Sequence, residues 1–158
     1  MAKLSKILVP TDFSETANLA VDFAVDLAEA NGAELILLTV IGDLPLTDEE
    51  MMMLRVNLDS VKEQNQKQIN AAKERLQGLI QPVILQKVRV EFLVRDGKPF
   101  VEIIRAAKDT AADLIVMSSH GHSRLAEILL GSTTDRVVQN APCSVLVVRE
   151  KQHSFKMP

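Results

Sequence analysis

The sequence is short of the features that would place it in a specialised class. Cys143 is its single cysteine, which excludes an intramolecular disulfide framework and a multi-cysteine zinc site and suits a reducing compartment. No apolar run approaches the roughly 20 residues of a membrane span. Met1 to Pro10 has neither the long apolar core nor the small-residue cleavage site of a signal peptide. No block of Lys and Arg is present, and 18 basic against 21 acidic residues leave a net charge of −3. Nucleic acid and anionic membranes are therefore disfavoured as partners. Gly and Pro number only six each while hydrophobic residues make up 47%, so the chain is neither disordered nor collagen-like. At 158 residues it can build one sizeable core but not two. The expectation is a soluble, cytoplasmic, single-domain protein.

What is present alternates between strand and helix patterns. Leu4 to Pro10 is a short apolar run ended by Pro-Thr-Asp, and in Ser14 to Asn31 Ala17, Ala20, Ala24, Leu27 and Ala28 recur at helical spacing. Ser14 can cap that helix and Asn31-Gly32 can end it. Glu34 to Ile41 is a continuous aliphatic run, the mark of a strand covered on both faces. Thr47 to Ile80 reads as one long amphipathic helix, with a stripe through Leu54, Leu58, Val61, Ile69, Ala72, Leu76 and Leu79 that Asn65 interrupts. Lys87 to Val94 predicts a strand near a sheet edge, Arg95 to Pro99 a turn, and Phe100 to Ala111 a helix opened by Pro99. Asp113 to Ser118, Thr133 to Asn140 and Ser144 to Val148 complete the series as strand, helix and strand.

This β-α alternation favours a mostly parallel sheet with helices on both faces, a Rossmann-like α/β architecture. Ligands of such sheets bind beyond the carboxyl ends of strands, where the strand order reverses. Pro10-Thr11-Asp12 and Ser118-Ser119-His120-Gly121 stand just after strands. No two glycines lie two apart, so no G-x-G-x-x-G exists, and G-x-x-x-x-G-K-[ST] is also absent. A dinucleotide dehydrogenase and a P-loop NTPase are demoted. There remains Gly121, nine residues, then Gly131-Ser132 at a helix start, where close backbone approach and free amides could cradle a phosphate. Ser132-Thr133-Thr134-Asp135 also reads as an S-x-x-D helix cap that needs no ligand. Asp12 can likewise serve as a cap after a strand. His120 and His122 lack the clustered carboxylates or cysteine of a zinc site, and Arg124 reads either as a phosphate screen or as an exposed helix arginine. Met51-Met52-Met53 reads as core contact at a helix start, and Cys143 as a small buried hydrophobe.

Ile7 to Ser14 (ILVPTDFS), Asp113 to Met117 followed by Ser-Ser-His-Gly, Leu129-Leu130-Gly131-Ser132 and Pro142 to Val148 (PCSVLVV) together resemble the universal stress protein family, over Lys6 to about Arg149. The resemblance implies a domain over residues 1–150 with a short tail at 151–158. It implies an open five-stranded parallel sheet of order 3-2-1-4-5, and a homodimer paired through Ser144 to Val148. It further implies binding of ATP, or of ADP or AMP, through a G-x2-G-x9-G-[ST] signature whose second and third glycines are Gly121 and Gly131. The first glycine position holds Ser118, which would cost about 1 kcal/mol if the backbone there required a positive φ. By resemblance the adenine lies against Pro10, Thr11 and Val40, and Asp12 approaches the ribose or a phosphate-bound Mg²⁺. The phosphates follow Gly121-His122-Ser123 to Gly131-Ser132-Thr133, with Ser118, His120 and Arg124 nearby. The alternatives are a dimeric interaction protein of the same fold without nucleotide, and a slow ATPase, for which no general base stands out.

Overall fold

The computed structural model describes residues 3–42, 47–120 and 130–150. The first strand, β1 (Lys6–Pro10), passes through the turn at Thr11–Ser14 into α1 (Glu15–Asn31). Ser14 caps α1, its hydroxyl accepting from the Ala17 amide, and Gly32 ends it at φ 62, where a side chain would be strained. Then follow β2 (Glu34–Ile41), α2 (Asp48–Met53), α3 (Leu58–Gly78), the short α4 (Pro82–Leu85), β3 (Val90–Asp96), α5 (Pro99–Thr110), β4 (Leu114–Ser118), α6 (Ser132–Asn140) and β5 (Ser144–Val148).

The five strands form one parallel sheet in the order β3-β2-β1-β4-β5, as the resemblance implied. β1 lies in the middle, paired from Lys6↔Glu34 to Pro10↔Leu38 on one side and through Ile7↔Leu114 and Leu8↔Ile115 on the other. At its base the Asp113 carboxylate accepts from the Ser5 and Lys6 amides at 2.8 and 2.9 Å. Successive residues of a strand face opposite sides, and the core divides accordingly. Ile7, Val9, Leu35 and Leu37 pack with Ala20, Ala24 and Ala28 of α1 and Leu76 of α3. Leu8, Ile36 and Leu38 pack with Ile103, Ala106 and Ala107 of α5 and Val137 of α6. Each fully buried Leu or Ile contributes about 1.5–3 kcal/mol by leaving water, and the alanines let α1 and α5 lie close to the sheet. Among the described residues no helix is long and apolar enough to cross a membrane.

Four sequence expectations are corrected. The predicted helix over Thr47 to Ile80 is broken into α2 and α3, because the Asn57 side chain accepts from the Asp59 and Ser60 amides and starts a new helix, just after Arg55 at φ 55. Its stripe is consequently discontinuous: Leu54 is exposed, and within α3 only Leu76 is buried. The third strand begins at Val90 rather than Lys87, since the Lys87 and Val88 amides both donate to the Ile84 carbonyl and complete a turn instead. Of the three methionines, Met51 is buried, but Met52 and Met53 are exposed. Gly131 is the cap residue of α6, and no side chain caps that helix, so the S-x-x-D cap is not formed.

Candidate functional site

The strand order reverses at β1: the chain moves outward to β2 and β3, then crosses to β4 and β5 on the other side. Above this point lies a cavity of about 380 Å³, where doubly wound sheets open a crevice. Its apolar wall comes from Pro10 of β1, Leu38 and Val40 of β2, Ile103 of α5 and Met117 of β4. Such a wall suits a flat, weakly hydrated group.

The backbone at the end of β2 adds polarity to this wall. The Leu38 carbonyl accepts from the Thr11 amide at 2.8 Å, so Leu38 turns its peptide groups toward β1, whereas the Ile41 carbonyl accepts from Gly97 on the β3 side. In a parallel ladder alternate residues face alternate neighbours. Val40 therefore turns its N–H and C=O toward β1, past the last rung at Pro10↔Leu38. A donor and an acceptor side by side on an apolar wall can read the hydrogen-bonding edge of a heterocycle.

The loop after β1 carries Thr11 and Asp12 to the cavity. The buried Thr11 accepts at its hydroxyl from the Phe13 amide at 3.0 Å and at its carbonyl from the Thr39 hydroxyl at 2.9 Å. Asp12 Oδ1 accepts from the Ser14 amide at 3.0 Å and from the Ser14 hydroxyl. Asp12 thus braces the residue that caps α1, and it does so while lining the cavity; the cap itself is Ser14. Asp12 is the one charged side chain among the described lining residues.

The start of α6 also lines the cavity, through Gly131 to Thr134. Gly131 has an ordinary φ of −66, so its value lies in contact: a Cβ there would meet the Ser119 carbonyl oxygen at 3.3 Å and His120 Cα at 3.5 Å. That proximity lets the Gly131 amide donate to the Ser119 carbonyl at 2.7 Å. The first intrahelical bond is Asp135 N–H to the Gly131 carbonyl. The amides of Ser132, Thr133 and Thr134 therefore precede it, at the positive end of the helix dipole, where an anion is favoured.

Ser118 is buried at the end of β4 and lies outside the left-handed region, which among described non-glycine residues holds only Phe13, Arg55 and Ala111. The strain cost considered for a serine at this position therefore does not arise. Its hydroxyl donates to the His120 carbonyl at 2.7 Å, and that carbonyl also accepts from the Thr16 hydroxyl at 2.8 Å.

The cavity brings together Pro10, Thr11, Asp12, Val40, Ser118, Gly131, Ser132 and Thr133 from the sequence-derived set. His120 does not line it: its Nδ1 lies 3.1 Å from the Ser119 hydroxyl. Gly121, His122, Ser123 and Arg124 lie outside the described residues. Sequence reasoning missed Leu38, Met117, Pro99, Ile103, Ala17 and Thr134. Leu38 and Met117 could have been found as the residues near strand ends. Pro99 and Ile103 reach the cavity only through the crossover that lays α5 on the sheet. Among the described residues no group of three His, Cys, Asp or Glu could hold a metal ion.

A family model described as the universal stress protein family matches residues 3–149. Universal stress protein MJ0577 of Methanocaldococcus jannaschii is 35% identical over 154 residues, covering 92% of this chain and 95% of that protein. Universal stress protein YxiE of Bacillus subtilis is 32% identical, covering 92% and 99%. The solved structure of MJ0577 superposes with a TM-score of 0.77 at 33% identity, covering 96% of this chain and 99% of that one. A crystal structure of a universal stress protein in complex with cAMP superposes with a TM-score of 0.59 at 26% identity, covering 93% and 98%.

Proposed function

This chain belongs to the universal stress protein family, and we propose that within it the protein binds an adenine nucleotide, ATP or its shorter forms ADP and AMP, as a dimeric stress-signalling module. The observation that carries this reading is the two-sided cavity. An apolar wall with the Val40 peptide groups on its edge shares the cavity with a helix start that no described side chain caps. The wall suits a purine, the Ser132–Thr134 amides suit a phosphate, and Asp12 lies between as a ribose acceptor. The cAMP complex of a relative supports the same ligand class. Mg²⁺ would enter with the phosphates, because Asp12, the one carboxylate among the described lining residues, cannot fill its octahedral shell.

Dimer formation is inferred from β5, an edge strand whose Val145, Leu146, Val147 and Val148 are all only half-buried in the single chain. Pairing of two such edges would cover them. Light scattering at micromolar concentration checks this: a monomer mass would exclude it.

The deciding test is denaturing extraction of freshly purified protein, with released nucleotides identified by mass spectrometry, followed by calorimetry with Mg-ATP, ADP and AMP. Near-stoichiometric adenine nucleotide, or saturable binding of an added one, is expected. An empty protein that binds none of the three would refute the reading and turn attention to the same fold as a protein-interaction module.

A further inference from the structure

We propose that Arg75 is a positioning residue for the nucleotide site, holding the turn that carries Asp12 in its ligand-facing shape through the ring of Phe13; the proposal rests on the nucleotide reading above. Phe13 has φ 64, a left-handed conformation that bulky side chains avoid. The other two such residues outside glycine among those described, Arg55 and Ala111, are exposed and sit where helices end, whereas Phe13 directly follows a cavity residue. Strain of this kind persists at a site only where the surroundings hold it.

Four contacts hold it here. The Phe13 amide donates to the Thr11 hydroxyl, and the Ser14 amide to Asp12 Oδ1, which together close the turn. The ring packs half-buried against the core shared by α1 and α3. Over its face lies the Arg75 guanidinium, 4.1 Å from the centroid, within the range of a cation–π contact. Arg75 stands in the last turn of α3, next to Leu76, which is fully buried and fixes the helix on the sheet. No carboxylate among the described residues forms an ion pair with Arg75. Its charge is directed to the ring. Without it, Phe13 can relax to a negative φ, which opens both turn hydrogen bonds and moves the Asp12 carboxylate away from the cavity.

The test compares wild type, Arg75→Ala, Arg75→Lys, Phe13→Gly and the Phe13→Gly/Arg75→Ala double variant. Calorimetry gives the affinity for Mg-ATP and AMP, and amide hydrogen exchange at Phe13 and Ser14 is read without nucleotide. Arg75→Ala is expected to weaken binding about two- to tenfold and to speed both amides, and Arg75→Lys to restore most of each. In the Phe13→Gly background Arg75→Ala should change neither, because glycine adopts the left-handed turn without help. Unchanged affinity and exchange in Arg75→Ala overturn the proposal, as does an equal loss in the glycine background, which a merely structural role of α3 would produce. If wild type binds no nucleotide, the ligand reading falls by itself, and the exchange rates still decide whether Arg75 holds the turn.

Discussion

The Thr134 hydroxyl donates to the Ser118 carbonyl at 2.9 Å, a buried bond that ties the first turn of α6 to the end of β4. The helix whose first residues line the cavity is thereby fixed to the strand that also lines it. Thr134→Val keeps the shape and removes the donor, leaving a buried acceptor unsatisfied at a cost of about 1–2 kcal/mol. Urea unfolding should show a lowered midpoint with an unchanged slope. An unaltered midpoint would mean that the carbonyl finds another donor.

Gly131→Ala addresses close approach rather than backbone strain. The new Cβ meets a main-chain oxygen at 3.3 Å, so the helix start must retreat by a few tenths of an ångström. Nucleotide affinity should fall about tenfold, the equivalent of one hydrogen bond to a charged group of about 1.4 kcal/mol. Stability should fall by less than that. Calorimetry on a variant with native circular dichroism checks this, and wild-type affinity would show that the phosphates bind elsewhere.

Ser118→Gly separates two accounts of the departure from the family's glycine signature. The residue is extended and its hydroxyl is occupied by the His120 carbonyl, so glycine gains nothing in backbone freedom. Stability should drop by about 1 kcal/mol, from the strand entropy and the lost bond, with affinity held within twofold. A tenfold gain in affinity would instead mean that the hydroxyl crowds the ligand.

Ala111 ends α5 in the left-handed region at φ 52, exposed and with its amide donating to Lys108. Ala111→Gly should stabilise the fold by about 0.5–1 kcal/mol, since the relief of strain exceeds the added entropy of the unfolded chain. A melting temperature that does not rise would count against strain at this helix end.

Burial first, and the nearby Asp113 carboxylate second, push the Cys143 thiol up from its ordinary value. The folded protein then binds its thiol proton more tightly than the unfolded chain, so stability is full below the unfolded thiol pKa of about 8.5 and declines as pH rises above it. Alkylation by iodoacetamide at pH 8.5 should be slower in the native protein than in urea, and the alkaline decline should shrink in Cys143→Ala. Equal rates in the two states would remove the basis for the effect.

The elements legible in the sequence are those whose causes are local. Glu34 to Ile41 and Ser144 to Val148 are observed with the predicted ends, because a short, mainly aliphatic run beside Gly32, Gly42 or Pro142 favours a buried strand over a helix. Ser14 and Gly32 likewise end α1 by chemistry within one turn. The break at Asn57 was hidden because an asparagine inside a periodic pattern reads as a solvated face until its side chain is seen on the Asp59 and Ser60 amides. The choice of Gly131 over Ser132 as cap depends on the Ser119 backbone pressing against it, a contact between segments that spacing does not record. The site was readable where it follows strands, at Pro10 to Asp12 and Ser118. It was unreadable where a crossover delivers a wall, at Pro99 and Ile103.

The central position of β1 also sets a timetable for folding. Its pairing with β2 needs only the first helix between them, but its other edge waits for Asp113, which bonds to the Ser5 and Lys6 amides across 108 and 107 residues. Closing so long a loop carries a large entropic cost before any contact returns it. A chain emerging from the ribosome therefore holds the open flank of β1 exposed through most of its synthesis. The start of α6 at Gly131 is made later still, so the cavity it lines is complete only once β4 and α6 have both been synthesised.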